Sequence, residues 1–169
     1  MGGYVAMNLV RRHPKRVDAL ALIDTKATAD PPAAAEGRRE MAAILEASGT
    51  AILRERVLPA LVGPTTREHR PEVMARVEGW ISRVSPATAA WAQRAMADRP
   101  SSLEVLTHFH GPALVLWGDE DTLSTPADHA AMADALHEVT RVEVVGSGHL
   151  SAVECPDAVT EALREWLTE

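Results

Sequence analysis

Apolar residues in this chain fall into two short continuous runs set among longer amphipathic stretches. Val17-Asp18-Ala19-Leu20-Ala21-Leu22-Ile23 is nearly unbroken and ends at Asp24, and Ala113-Leu114-Val115-Leu116-Trp117 ends at Gly118. Runs of this length bounded by turn residues predict strands buried on both faces of a parallel sheet. The segment Arg141-Val142-Glu143-Val144-Val145 partly alternates, as an edge strand with one wetter face does. A short helix is predicted over residues 3–12, with Arg11, Arg12 and His13 suiting its C-terminus and Pro14 stopping it.

Between the two apolar runs the character changes. Residues 25–112 are rich in Ala, Arg and Glu, and no strand pattern stands out. Helices are predicted over 33–48, 50–61, 71–84 and 86–98, with a shorter one over 101–107. Gly49, Gly63-Pro64, Ser85-Pro86 and Arg99-Pro100 punctuate them. The Pro/Ala stretch 30–35 reads as a linker. After the second run, helices are predicted over 126–136 and 156–167, each opened by a proline where a first turn tolerates it. Strands alternating with helices argue for an α/β fold with about three parallel strands, interrupted by a helical insertion. The expected organisation is core over 1–27, a helical insertion over 28–110, and core again over 111–169.

Composition narrows the function. At 169 residues, 46% of them hydrophobic and 24% charged, the chain reads as an ordinary globular domain. The net charge of −7 argues against a nucleic-acid partner. No apolar run reaches the length of a membrane helix, so no membrane partner is expected. A single cysteine excludes an internal disulfide and a Cys-rich zinc site, fits a reducing compartment, and leads to the expectation of a cytoplasmic protein. The first residues show no signal peptide, and Ala6 stands where a myristoylation signal wants Ser or Thr.

Two loops carry candidate chemistry. Asp121 lies three residues past Gly118, beyond the end of one strand. His149 follows Gly148, beyond the end of the last. Ligands of open parallel sheets bind at the carboxyl ends of strands. An acid there can accept an imidazole N–H and leave the other ring nitrogen as a base. Each signal alone more often marks a plain turn or a structural histidine; the ordered pair is more specific. Asp119 and Glu120 read as solvated turn carboxylates, with Asp119 a minor rival to Asp121. Ser147, Ser151 and Cys155 lie too near His149 in sequence to make good nucleophiles. His108 and His110 suggest a metal pair but lack a third ligand, so a loop or strand entry is the simpler reading, and no metal is expected. Trp80, Trp91, Met74 and Met96 could line a pocket or pack helices. Leu123 and Leu150 are candidates for substrate contact because they adjoin the acid and the base.

Leu114-Val115-Leu116-Trp117-Gly118-Asp119-Glu120-Asp121, with Pro126 following, resembles the acid strand and turn of the α/β-hydrolase family. Val144-Val145-Gly146-Ser147-Gly148-His149, with Glu154 and Pro156 following, resembles its histidine loop. The likeness covers essentially the whole chain and is nearest to the esterase, enol-lactonase and haloperoxidase-like branch. It implies a partial α/β-hydrolase fold in which the helical insertion over 28–110 is a cap. Asp121 and His149 would then be the catalytic acid and base, and Trp91, Leu123 and Leu150 would contact a small acyl substrate without a cofactor. The opening Met1-Gly2-Gly3 resembles the remainder of the family's Gly-x-Ser-x-Gly elbow, entered just after the serine. On that likeness Met1 N–H would be an oxyanion-hole donor and the nucleophilic serine would precede Met1. The isolated chain would then be inactive. The alternatives are a non-catalytic or partner-complemented fragment, self-associating through an exposed sheet edge, and a dehalogenase-type relative.

Overall fold

The computed structural model describes residues 1–168. Its helices and strands run α1 (Gly2–Arg12), β1 (Leu20–Ile23), α2 (Pro32–Ser48), α3 (Leu58–Leu61), α4 (Pro64–His69), α5 (Pro71–Ile81), α6 (Pro86–Ala97), α7 (Leu103–Thr107), β2 (Ala113–Gly118), α8 (Pro126–Ala135), β3 (Val139–Val144), α9 (Ser151–Glu154) and α10 (Pro156–Thr168). The three strands form one parallel sheet in the order β1-β2-β3. Leu20 pairs with Ala113 and Ile23 with Leu116, while Ala113 pairs with Val139 and Gly118 with Val144.

The period-2 alternation of strand side chains divides the core into two layers. Leu20, Leu22, Ala113 and Val115 face Met7 and Val10 of α1, Leu106 of α7 and Met132 of α8. Ala21, Ile23, Leu114 and Leu116 face Val159 and Ala162 of α10. Leu114, Val115 and Leu116 are wholly inaccessible, which is why β2 reads as an unbroken apolar run. β3 carries exposed Arg141 and Glu143 between its more buried valines, as its partial alternation predicts.

Two strand starts differ from the sequence expectation. β1 starts at Leu20 rather than residue 17, because Pro14–Arg16 forms a 3-10 turn and leaves Asp18 and Ala19 exposed in the approach. β3 starts at Val139, since its register on β2 recruits Val139 and Thr140 as well.

Residues 32–107 form the helical block. Ala42 and Leu45 of α2 pack on Ala89 and Ala90 of α6. The helix predicted over 50–61 contains a π turn at Leu53–Val57 before α3. The stretch 30–35 is not a linker: α2 begins at Pro32, and the Asp30 carboxylate is buried between Arg38 and Arg99. Burial works against that anion, but the hydrogen bonds from Arg99 and Arg38 prevail and hold its pKa far below the ordinary value. The short helices α4 and α9 were not expected. Pro64, read as a break, is instead the first residue of α4. Among the described residues, no helix is long and apolar enough to cross a membrane.

Candidate active site

Asp121-Thr122-Leu123-Ser124 folds around its own first side chain. Asp121 Oδ1 accepts the N–H groups of Leu123 (2.7 Å) and Ser124 (3.2 Å), a local turn that aspartate is suited to make. Thr125 then caps α8 in a reciprocal box with Asp128, so the end of the acid loop is fixed by a helix start.

The His149 loop is held by three carboxylates. Asp119 Oδ1 accepts from Gly146 N at 2.7 Å and Ser147 N at 3.4 Å. Glu154 is buried and accepts from the N–H groups on either side of His149, those of Gly148 (2.9 Å) and Leu150 (3.1 Å). Its other oxygen accepts from Gly63 N at 2.8 Å, tying the loop to the helical block. Asp24, just past the end of β1, accepts from Ser151 N (2.8 Å) and Ser151 Oγ (2.7 Å). Only glycine fits where loop and block meet: a Cβ on Gly148 would come 2.7 Å from the Val62 carbonyl carbon and closer still to Gly63 N.

These supports bring His149 Nδ1 to 2.9 Å from Asp121 Oδ2. The Asp121 side chain is inaccessible, whereas that of His149 is 22% exposed. Burial opposes the Asp121 anion, but hydrogen bonds from His149, Ser124 and Leu123 outweigh it and hold the carboxyl below its ordinary pKa. An ionised carboxylate has no proton to give, so Nδ1 of His149 carries the hydrogen. In the neutral ring Nε2 then presents a lone pair, and it has no hydrogen-bond partner among the described residues. The pair is thus arranged to take a proton at Nε2 and to stabilise the resulting imidazolium.

The other candidates fall in different places. Asp119 and Glu120 are not merely solvated: Asp119 holds the loop backbone, and Glu120 accepts from Thr65 N at 2.9 Å and from its hydroxyl. The hydroxyl of Ser147 is spent on Val144 O and that of Ser151 on Asp24. The Cys155 thiol points to the carbonyls of Val145 and Gly146 at 3.8 and 3.9 Å, and the residue packs beside the core layer of α10. His108 and His110 do not converge on a ligand: His108 Nδ1 meets Glu104 O, His110 stacks on His137, and Phe109 between them is core. Among the described residues no group of three or more His, Cys, Asp or Glu could hold a metal.

Met1 and Trp91 share the wall of a cavity of about 300 Å³ with Tyr4 and Arg99. Trp91 is well exposed on α6, whereas Met74 packs into the small core of α3 and α5. Trp80 is 42% exposed, and Met96 sulfur lies 3.5 Å from Arg38. Leu123 is exposed beside the acid. Leu150 packs against the cluster of Leu58, Val62, Val73 and Val77, so part of its role is to seat the loop on the helical block.

Sequence reasoning missed Glu154 as the clamp around His149, Asp24 as its support, and Ser124 and His129 behind Asp121. Glu154 was visible only as part of a motif, and nothing in the local pattern marked the other three.

A family described as alpha/beta hydrolase fold matches residues 1–156. Among solved structures, a thermophilic esterase from Thermogutta terrifontis superposes with a TM-score of 0.94 at 36% identity, over 99% of this chain and 61% of that one. The enol-lactonase from Burkholderia xenovorans gives 0.88 at 28% identity, over 100% and 63%. A hydrolase from Pseudomonas aeruginosa gives 0.85 at 26%, over 99% and 62%. The chain therefore spans less than two thirds of the length of these relatives. No curated protein matches it.

Proposed function

This chain belongs to the α/β-hydrolase fold family, and from that premise we propose that it is the C-terminal portion of a serine hydrolase acting on a carboxylic ester or lactone. The observation that carries the reading is the His149–Asp121 contact at the ends of neighbouring parallel strands, with Nε2 unengaged among the described residues. The similarity to an esterase and an enol-lactonase supports the substrate class.

In the proposed reaction a serine immediately preceding Met1 in a longer protein attacks the acyl carbon while His149 Nε2 takes its proton. Asp121 stabilises the imidazolium, and Met1 N–H helps hold the oxyanion. The tetrahedral intermediate collapses as His149 returns the proton to the leaving alkoxide. Water, deprotonated by His149, then attacks the acyl-enzyme, and as the acyl–oxygen bond breaks His149 returns that proton to the serine oxygen and the acid leaves. Residues 28–110 serve as the cap, with Trp91 lining the acyl pocket and Leu123 and Leu150 flanking the acid and base. No cofactor enters the scheme, and a cytoplasmic setting suits the free Cys155.

One observation favours partner complementation as a second reading. Leu20 N and Asp24 N bond toward β2, so alternation turns the backbone groups of Ala21 and Ile23 to the other edge of β1, where no described strand pairs with them. A strand from another chain, or from a second copy, can pair there.

Labelling with a fluorophosphonate probe tests the proposal. The longer protein is expected to label at the serine before Met1 and to lose the label on His149→Ala. The 169-residue chain is expected not to label. A label on the 169-residue chain itself, or a longer protein inert to the probe and to p-nitrophenyl esters and lactones, overturns the reading.

A further inference from the structure

Behind Asp121 lies a second imidazole. Ser124 Oγ donates to Asp121 Oδ2, and His129 Nε2 lies 3.1 Å from Ser124 Oγ. Ser124 and His129 are each 1% exposed. The His129 ring stacks on Trp117, with centroids 4.8 Å apart and planes 22° apart. Trp117 Nε1 in turn donates to Glu143 at 3.0 Å, which fixes the indole.

We propose that Ser124 and His129 are positioning residues for the Asp121–His149 pair. They form a buried hydrogen-bond chain, ending on His129 with its ring stacked on Trp117, that reserves one lone pair of Asp121 Oδ2 for the imidazole of His149. The inference rests on the reading of that pair as the acid and base of a hydrolase.

The direction of every bond in the chain is forced. The Asp121 carboxylate can only accept. Ser124 has one hydroxyl hydrogen, and it goes to Asp121. Ser124 Oγ must therefore accept from His129, so Nε2 of His129 carries hydrogen. In the neutral ring Nδ1 is then bare, and it is buried without a partner among the described residues. A buried polar atom left unpaired loses its hydration without compensation and destabilises the fold. An apolar residue would fill this part of the core without that cost, so the imidazole is explained by what its other nitrogen does. Burial also lowers the proton affinity of His129, favouring the neutral ring that has only one hydrogen to give.

The chain completes the acceptor count of Asp121. A carboxylate offers about four lone-pair sites. Oδ1 takes Leu123 N and Ser124 N, and Oδ2 takes Ser124 Oγ and His149 Nδ1. With all four engaged, rotating the carboxyl away from His149 breaks several bonds at once. Without the Ser124 hydroxyl, Oδ2 keeps a vacant site in a buried place, and the hold on its angle loosens.

NMR on the 169-residue chain tests the idea without requiring turnover. Ring nitrogen shifts are expected to show His129 with hydrogen on Nε2. In Ser124→Ala, the Asp121 carboxyl carbon is expected to titrate at higher pH than in wild type, and the His149 Nδ1 hydrogen to exchange faster with solvent. His129→Leu, which fills the core but cannot donate, is expected to move both readouts the same way. His129→Gln restores a donor at the place of Nε2 and is expected to return both toward wild type. A purely structural His129 would not distinguish Gln from Leu. Hydrogen found on Nδ1 of His129, or unchanged Asp121 and His149 signals in Ser124→Ala, overturns the proposal. These signals are independent of turnover. A longer protein without hydrolase activity would sink the enzymatic reading while leaving the chain of bonds in place, and the wrong tautomer would sink only this inference.

Discussion

His149 Nδ1 and Asp121 Oδ2 meet at 2.9 Å although 28 residues separate them in the chain. The helix α8 and strand β3 between them return the chain so that two successive strand ends lie side by side. If this contact orients the base of a hydrolase, Asp121→Asn in the longer protein lowers kcat on p-nitrophenyl esters by roughly 10³–10⁴-fold, because an amide can stabilise the wrong tautomer and cannot balance the imidazolium. A loss under tenfold would count against the assignment.

Asp24 has the opposite electrostatics to Asp121. Burial pushes its pKa from 3.8 up to about 6, against the hydrogen bonds from Ser151. Its Oδ1 is buried without a partner among the described residues. A raised carboxyl pKa means that the folded state holds the proton more tightly than the unfolded chain. The stabilisation is present below about pH 4 and is lost as pH rises through about 6. Asparagine stays neutral and tolerates the left-handed backbone at this position, where φ is 46°. Asp24→Asn is therefore expected to gain about 1–3 kcal/mol on wild type between pH 4 and pH 7.5. Urea unfolding at several pH values checks this, and a difference that does not change with pH refutes it.

Glu154 accepts three backbone N–H groups, those of Gly63, Gly148 and Leu150. Glutamine has the same shape but must turn its own N–H groups toward at least one of these donors. Glu154→Gln is expected to destabilise by about 2–3 kcal/mol, the scale of a buried donor left unmet. It should also speed exchange of the His149 Nδ1 hydrogen. A urea midpoint within error of wild type would show that the clamp contributes little.

Gly148 and Gly63 bring two backbones closer than any side chain allows. Gly148→Ala places a methyl group against backbone atoms that cannot swing aside, so a loss of about 2 kcal/mol or more is expected from overpacking. Thermal melting reads the loss. Gly37→Ala, on α2 with open space around the new methyl, serves as the control and is expected to be neutral or slightly stabilising.

The sequence by itself determined the parts whose causes lie within a few residues. The apolar run 113–117 marked a doubly buried strand, Pro126 and Pro156 marked helix starts, and Gly118 and Gly148 marked the strand ends that Asp121 and His149 follow. Both halves of the candidate pair were legible because each follows a strand end. The helices α4 and α9 were not, since four to six residues carry no readable period and these turns are held by neighbours. Tertiary structure alone decided that Glu154 reaches Gly63, that Asp24 meets Ser151 127 residues away, and that His129 stands behind Asp121. Those contacts depend on the register of three parallel strands and on where the helical block settles. Periodicity and capping act within a turn or two of chain, whereas the groups that hold His149 come from strand ends and loops whose proximity only the assembled sheet creates.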